Sequence, residues 1–534
     1  MRDFHLPGRS PVFAQNGICA TSHPLAAKVA VQILEAGGNA VDAAIAGAVL
    51  LGICEPQMTG IGGDCFVLLK PAGDEKIIAL NGSGRAPAAL SAEKLRVAGQ
   101  AKTPGAPMSG ISSGGPEAVT IPGAIDAFCR LSKDWGRIGL KAALAPAIHY
   151  AEAGVPVAPR TAMDWRIAAS TLQGDARDHY LLAGKAPVAG QVFRHPQQAE
   201  VLRRVALEGR AGFYEGEVAE DMVAALRALG GVHTLDDFAA TACDYTDPVS
   251  GAYKDVEMVE HPPNGQGATA ILLNNILSHF DVAGMDPFGT ARAHIEAEAA
   301  KLAYDARDRF LADPDYMTRL PHMLSPELGA DLAALIDPKS AMPDPRAASD
   351  RVHRETIYLT VIDKDRMAVS LIYSIFHSFG SGIASSKFGV LFQNRGFGFS
   401  LEPGHPNEAG GGKRPMHTII PGMLKKSGKV IMPFGVMGGA YQPNGHSRLI
   451  TNIVDFGLHP QAAIDAPRSF SDAGQMMVER GYPDKVRAEL AEMGHKVGTP
   501  EVPIGGAQAI LIDDENGVLQ GASDPRKDGC ALGY

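Results

Sequence analysis

The strongest constraint in this sequence is a change of texture two thirds of the way along it. From Asp315 to Arg354 the chain is rich in prolines and polar residues, "DPKSAMPDPRAASDRVHRE" among them, which is the composition of an exposed, mobile linker. It then runs into "TIYLTVI", where Ile357, Leu359 and Val361 alternate with Thr356, Tyr358, Thr360 and Ile362 in the period-two pattern of a strand. A small hydroxyl therefore stands at the first position of a strand, directly behind Glu355 and a polar segment. β-Propensity alone accounts for many such threonines, so any chemistry must be argued from the rest of the chain.

The two sides of this junction differ. On the N-terminal side, Ser22 reads as a cap and Pro24 suits a first helical turn; "LAAKVAVQILEAG" then carries a helix that Gly37 and Gly38 stop. Asn39 with Asp42 opens a second helix through "AVDAAIAGAVLLG", and both helices are hydrophobic almost all round, the mark of core. "MTGIGGDCFVLLK" and "KIIALNGSGRAPAAL" each pair a glycine-rich loop with a short strand. The first loop leads into a strand and lacks a GxxxxGK signature, so close backbone packing explains it better than a phosphate cradle. Residues 137–235 are mainly helical, and "ARAHIEAEAAKLAYDARDRFLADPDYM" predicts a long charged helix ending near Asp313 and Pro314. On the C-terminal side a hairpin across "DKDR" is followed by "GVLFQ", "KVIMPFGVMGG" and "AQAILIDD", all strand-like. This order predicts an α+β protein whose sheets are covered by helices.

Composition narrows the function classes. With 45% hydrophobic and 20% charged residues, the 534-residue chain is globular. A net charge of −10 argues against a nucleic-acid binder. The cysteines Cys19, Cys54, Cys65, Cys129, Cys243 and Cys530 are scattered, with neither CxxC nor zinc-ligand spacing, so no metal and no disulfide framework is expected. "MRDFHLPGRSPVFAQNG" lacks the apolar region of a secretory signal, and "AAIAGAVLLGIC" is too short to span a bilayer. The expectation is a cytoplasmic protein with no membrane or nucleic-acid partner and no cofactor.

Thr356 acquires a chemical meaning if it becomes a chain terminus. A hydroxyl is a poor nucleophile at neutral pH and needs a nearby base; an N-terminal threonine supplies one in its own α-amino group, with a pKa near 8. That requires cutting the Glu355–Thr356 bond, which the same hydroxyl can do by attacking the preceding carbonyl.

The region "TIYLTVIDKDRMAVSLIYSIFHSFGSGI" resembles the processing site of the γ-glutamyltransferases (glutathione hydrolases), members of the N-terminal-nucleophile hydrolases. The resemblance extends through "ATSHPLAAKVAVQILEAGGNAVDAAIA", "TGIGGDCF", "KRPMHTIIPGM", "GVMGGAYQ" and "GASDPRKDGCALGY". It implies an αββα sandwich formed jointly by a large, mainly helical subunit of residues 1–355 that covers the sheets and a β-rich small one of residues 356–534. Thr356 would be nucleophile and base. Ser374 would be the second hydroxyl residue, and Gly438 and Gly439 the backbone pair of the oxyanion hole. The plain readings of Ser374 and the two glycines are a sheet residue and a tight turn.

Departures from the family pattern bear on substrate. An Arg that grips the donor α-carboxylate in relatives falls on Ser83, with Arg85 two residues on; an Asn becomes Phe376; a Gln and the ammonium-binding Asp fall on Arg395 and Gly398; two serines become His417 and Thr418. The expectation is a cationic, carboxylate-binding pocket of Arg85, Arg395 and His417 beside Thr418. The plain alternatives are an Arg395 paired with a surface acid and a His417 packed in the core. The resemblance thus implies a hydrolase for a γ-glutamyl or related acyl amide. A second reading is an amidohydrolase for a small carboxylate-bearing amide without an α-amino group, oxamate-like or glutaryl-like. A third is a non-catalytic binding descendant, against which intact Thr356, Ser374, Gly438 and Gly439 speak. The partners implied are a small-molecule amide and the two subunits of one precursor, and homo-oligomers stay open.

Overall fold

The structure, a computed structural model, describes residue 5 and residues 8–102, 111–343, 356–472 and 474–534. Glu355 and the last part of the expected linker lie outside the described residues. The strands of its two large sheets are, in chain order, β1 (Val12–Ala14), β2 (Ile18–Thr21), β3 (Asp64–Lys70), β4 (Ile78–Gly82), β5 (Asp244–Thr246), β6 (Val249–Tyr253), β7 (Val256–Glu260), β8 (Ile357–Ile362), β9 (Ala368–Ser374), β10 (Pro421–Lys426), β11 (Lys429–Met437), β12 (Gly506–Asp513), β13 (Val518–Ser523) and β14 (Cys530–Gly533). Edge to edge, one sheet runs β1-β13-β12-β11-β10-β7-β6 and the other β14-β2-β8-β9-β3-β4-β5. Neighbours are antiparallel throughout.

Side-chain alternation decides what each face of a strand meets. In β8, Ile357, Leu359 and Val361 turn outward onto helices α1 (Pro24–Glu35) and α2 (Ala40–Cys54), and Leu359 fills the space that a Cβ on Gly47 would need. Ile362, of the opposite parity, joins Ile18, Leu68, Val259, Met423 and Ile510 between the sheets. Helices α3 (Gly267–Leu277), α4 (Thr290–Phe310) and α5 (Gln442–Val454) cover the far face of the first sheet. The result is the four-layered αββα sandwich expected from the sequence. Each fully buried Leu or Ile contributes roughly 1.5–3 kcal/mol relative to exposure. α2, buried along its whole length, is therefore a major anchor of the second sheet.

One contact pulls the two sheets together where it matters. Tyr358 leans on β11 at Gly435, where a Cβ would lie 2.2 Å from the ring. The Tyr358 hydroxyl lies 2.6 Å from Ser370 Oγ, which donates to the Phe434 carbonyl at 3.2 Å. The head of β8 is thus held over the strand that ends at Met437, just before Gly438 and Gly439.

Several expectations change. Residues 1–355 do not merely cover the sheets: β1 to β7 belong to them, half of the fourteen strands. The expected linker is helical over Leu320–Leu324 and Pro326–Ala333, because its prolines fall in first helical turns, where a missing N–H costs nothing. Just beyond, Met342 donates its N–H to Glu298 Oε2 and accepts from Lys301 Nζ, both at 2.8 Å. "GVLFQ" is no strand; Leu391 forms only an isolated bridge with Ala384, its backbone pressed against Gly62. His23, not Ser22, caps α1 through its ring nitrogen, while the Asn39–Asp42 capping box opens α2 as read. All six cysteines are free thiols. Among the described residues no helix is long and apolar enough to cross a membrane.

Candidate active site

The sheet registers place four polar side chains in one row. Ile357 pairs with Tyr373, so Thr356, one residue earlier, faces Ser374; Ser374 pairs with Asp64; and Cys65 pairs with Gly82, so Asp64 faces Ser83. Cross-strand partners share a face of the sheet, and the row crosses β8, β9, β3 and β4 at their ends. Thr356 Oγ1 lies 3.3 Å from Ser374 Oγ, and both residues are buried. Ser374 Oγ also accepts the Phe376 N–H at 2.9 Å. Tight backbone packing supports the row: a Cβ on Gly63 would sit 2.4 Å from the Ser374 carbonyl oxygen, which is the use expected for this glycine-rich loop.

Across the sandwich, Gly438 has φ +119° and Gly439 φ +56°, left-handed values that favour glycine. Neither amide donates to an acceptor among the described residues. Gln266 Nε2 holds this turn and the Thr418 backbone in one grip, donating to Gly439 O at 2.9 Å and to Thr418 O at 2.6 Å, and Arg307 Nη1 fixes its Oε1 at 3.0 Å. Gln266 escaped the sequence reading because a glutamine in "PPNGQG" looks like turn chemistry.

On the far side of Ser374, Arg395 is fully buried, with Nη1 2.8 Å from Thr418 Oγ1. Its guanidinium lies 3.9 Å from the centroid of the Phe376 ring. Phe376 reaches that position with φ +78°, a conformation costing a bulky residue about 1–2 kcal/mol. A desolvated cation–π contact offsets a cost of that size.

Two members of the expected cationic pocket are corrected. Arg85, with its side chain 42% exposed, points away to Asp313 at 3.4 Å and the Gly412 carbonyl at 3.0 Å. His417 carries no charge: burial, then the nearby Arg395 and His261, push its pKa well below the usual range. Its Nδ1 accepts the Ile419 N–H, so Nε2 carries the proton and donates to Asp64 Oδ2 at 3.0 Å, a hydrogen bond of a neutral ring rather than an ion pair. His417 is a packed core residue.

Asp64 is the polar residue at the centre of this side. Its Oδ1 accepts from the Gly84 N–H and from Gln393 Nε2, each at 2.9 Å. Burial raises its pKa to about 6 against the pull of Arg395 and these donors. The signal was present in "GIGGDCFVLLK" as a carboxylate at the head of a strand that is apolar until Lys70.

Metal-binding potential lies elsewhere. Among the described residues, His294, Glu298 and His495 are the group close enough to share an ion. Lys301 Nζ already sits 2.6 Å from Glu298 Oε1, and the two rings bond to each other at 2.8 Å, so the charges there balance without one.

Comparison with known proteins identifies the family. The family model described as Gamma-glutamyltranspeptidase matches residues 26–534. The chain is 36% identical over 536 residues to the glutathione hydrolase-like YwrD proenzyme of Bacillus subtilis, covering 98% of this chain and 99% of that one. It is 33% identical over 540 residues to the oxamate amidohydrolase proenzyme of Klebsiella pneumoniae, covering 97% and 98%. Among solved structures, cephalosporin acylase from Bacillus halodurans superposes with a TM-score of 0.91 at 38% identity, over 100% of this chain and 99% of that one. The αββα sandwich and these matches along nearly the whole chain make this protein an N-terminal-nucleophile hydrolase, an enzyme of the γ-glutamyltranspeptidase family.

Proposed function

We propose that the protein is an autoprocessing threonine hydrolase that opens acyl amides through an acyl-enzyme at Thr356. In the precursor, Thr356 Oγ1 attacks the Glu355 carbonyl, the peptide becomes an ester, and water opens it. Residues 1–355 and 356–534 are then separate chains, and the freed α-amino group of Thr356 serves as base. In turnover it takes the Oγ1 proton as Oγ1 attacks the donor carbonyl. The Gly438 and Gly439 N–H groups receive the oxyanion, the ammonium returns its proton to the leaving amine, and water repeats the sequence on the ester. Ser374 steadies Oγ1. The observation that carries this reading is the 3.3 Å contact between the Thr356 and Ser374 hydroxyls at the head of β8.

For the donor, Arg395 is the cation on this side of the pocket and Gly398 offers no side chain to an ammonium group. The preferred substrate is therefore an acyl amide that carries a carboxylate but no α-amino group, oxamate-like or glutaryl-like, with γ-glutamyl compounds slower. A missing polar partner costs roughly tenfold or more in rate per contact. The names of relatives acting on oxamate and on cephalosporins fit this class.

The test is direct. Purified protein should give two fragments on a denaturing gel, the shorter with Thr356 at its N-terminus, while Thr356→Ala stays full-length and inactive. A chain that shows only Met1 after long incubation rules out the mechanism. The processed enzyme should then cleave glutaryl-p-nitroanilide faster than γ-glutamyl-p-nitroanilide; the reverse order would show that the ammonium has found a partner.

A further inference from the structure

We propose that Asp64 is a specificity-determining residue, its charge offsetting that of Arg395 and so limiting how strongly the acyl pocket attracts a donor carboxylate. The inference rests on the reading of Thr356 as nucleophile and of the acyl chain as lying along the row toward β3.

The geometry comes from the ladder. Adjacent strands are about 4.8 Å apart, so Asp64, two strands from Thr356, has its Cα roughly 10 Å from that of the nucleophile. A five-carbon acyl group bound to Thr356 Oγ1 extends over most of that span. Its far end therefore arrives where Arg395, Thr418 and Asp64 meet.

Asp64 is fully buried and accepts from three donors on three different segments: Gly84, Gln393 and His417. Those donors fix it in place and leave its charge to act on its surroundings. The groups facing it are the Gln393 amide, the neutral His417 ring, the Gly84 and Gly123 N–H groups, its uncharged cross-strand neighbours Ser374 and Ser83 and the guanidinium of Arg395; the nearby His261, stacked on Phe66, is also neutral because burial lowers its pKa to about 4. Arg395 is the one cation among them. A carboxylate held near a buried guanidinium cancels much of the field that a second carboxylate would feel, and at these separations one charge changes affinity by about an order of magnitude or more. The chemical benefit is turnover: hydrolysis of such a donor releases a dicarboxylate, which an uncompensated buried cation would retain.

The experiment compares kcat/KM for glutaryl-p-nitroanilide and for pentanoyl-p-nitroanilide, which has the same chain length and no carboxylate. Taking the ratio cancels the shared chemistry at Thr356. Asp64→Asn should raise the glutaryl/pentanoyl ratio by about tenfold or more, Arg395→Ala should lower it by a similar factor, and the two substitutions together should return it close to the starting value. In the unsubstituted enzyme the ratio should rise as pH falls from 7.5 to 5.5, as Asp64 takes up its proton near pH 6 while the donor stays ionised; this series decides the matter if Asp64→Asn does not fold. Cleavage of both compounds with a ratio moved by neither substitution nor pH would overturn the role of Asp64 alone, leaving it a scaffold residue. A processed enzyme that cleaves neither compound would overturn the acyl-amide reading and this inference together.

Discussion

At the scale of single residues, the site is a set of short-range geometric demands. Gly438 holds φ +119°, and a Cβ there would approach Gly505 Cα to 3.0 Å. Gly438→Ala should rotate the turn that presents the two amides and lower kcat by about a hundredfold, with far-UV circular dichroism unchanged. Near-normal turnover would place the oxyanion elsewhere. Arg395→Ala should lower kcat/KM for glutaryl-p-nitroanilide by about tenfold or more and leave a carboxylate-free donor much less affected. Equal losses on both donors would mean that Arg395 only supports Phe376 and the backbone around it.

Elements carry the pH dependence of the fold. Glu55 ends α2, fully buried, and accepts from Ser22 Oγ at 2.7 Å in the turn that joins β2 to α1. Burial is the main cause that raises its pKa to about 7, from about 4.5 for the exposed side chain. The folded state therefore binds this proton more tightly than the unfolded chain. Its stabilising contribution is complete below about pH 4.5 and is lost as pH rises through 7, at a cost of roughly 3 kcal/mol in the alkaline limit. Asp64, raised in the same direction, adds to the slope. Glu55→Gln should flatten the decline of Tm between pH 5 and 8 and raise Tm most at pH 8. An unaltered slope in a thermal series would show that Glu55 is ionised in the folded protein at all these values.

In the molecule as a whole, both sheets interleave strands from the two sides of the Glu355–Thr356 bond. β8 and β9 lie between β2 and β3, and β10 pairs with β7. These pairings join strands on either side of that bond, so the two fragments should co-elute as one species in gel filtration and separate only in denaturant. For the same reason residues 356–534 expressed alone should be insoluble: their strands lack partners on exposed edges. Independent folding of that fragment would contradict the interleaved sheets.

What could be read from the sequence followed from local rules. The Asn39–Asp42 box, the alternation in β8, the turn at "DKDR" and the glycines at 438 and 439 each rest on a few neighbouring residues, and motifs spread along the chain were enough to identify the family. Charge could not be read that way. His417 and Arg85 looked cationic and available, yet one is neutralised by burial and the other drawn off by Asp313, a residue more than two hundred positions away. Asp64 passed unnoticed because its importance depends on a register that sets it across from Ser374 and on Gln393 and His417, hundreds of residues distant in sequence. Local backbone preference and hydrophobic period are properties of a segment, so the sequence alone determined most of the elements. The net charge of a buried pocket depends on which segments meet and how much water they exclude, and only the tertiary structure decided that.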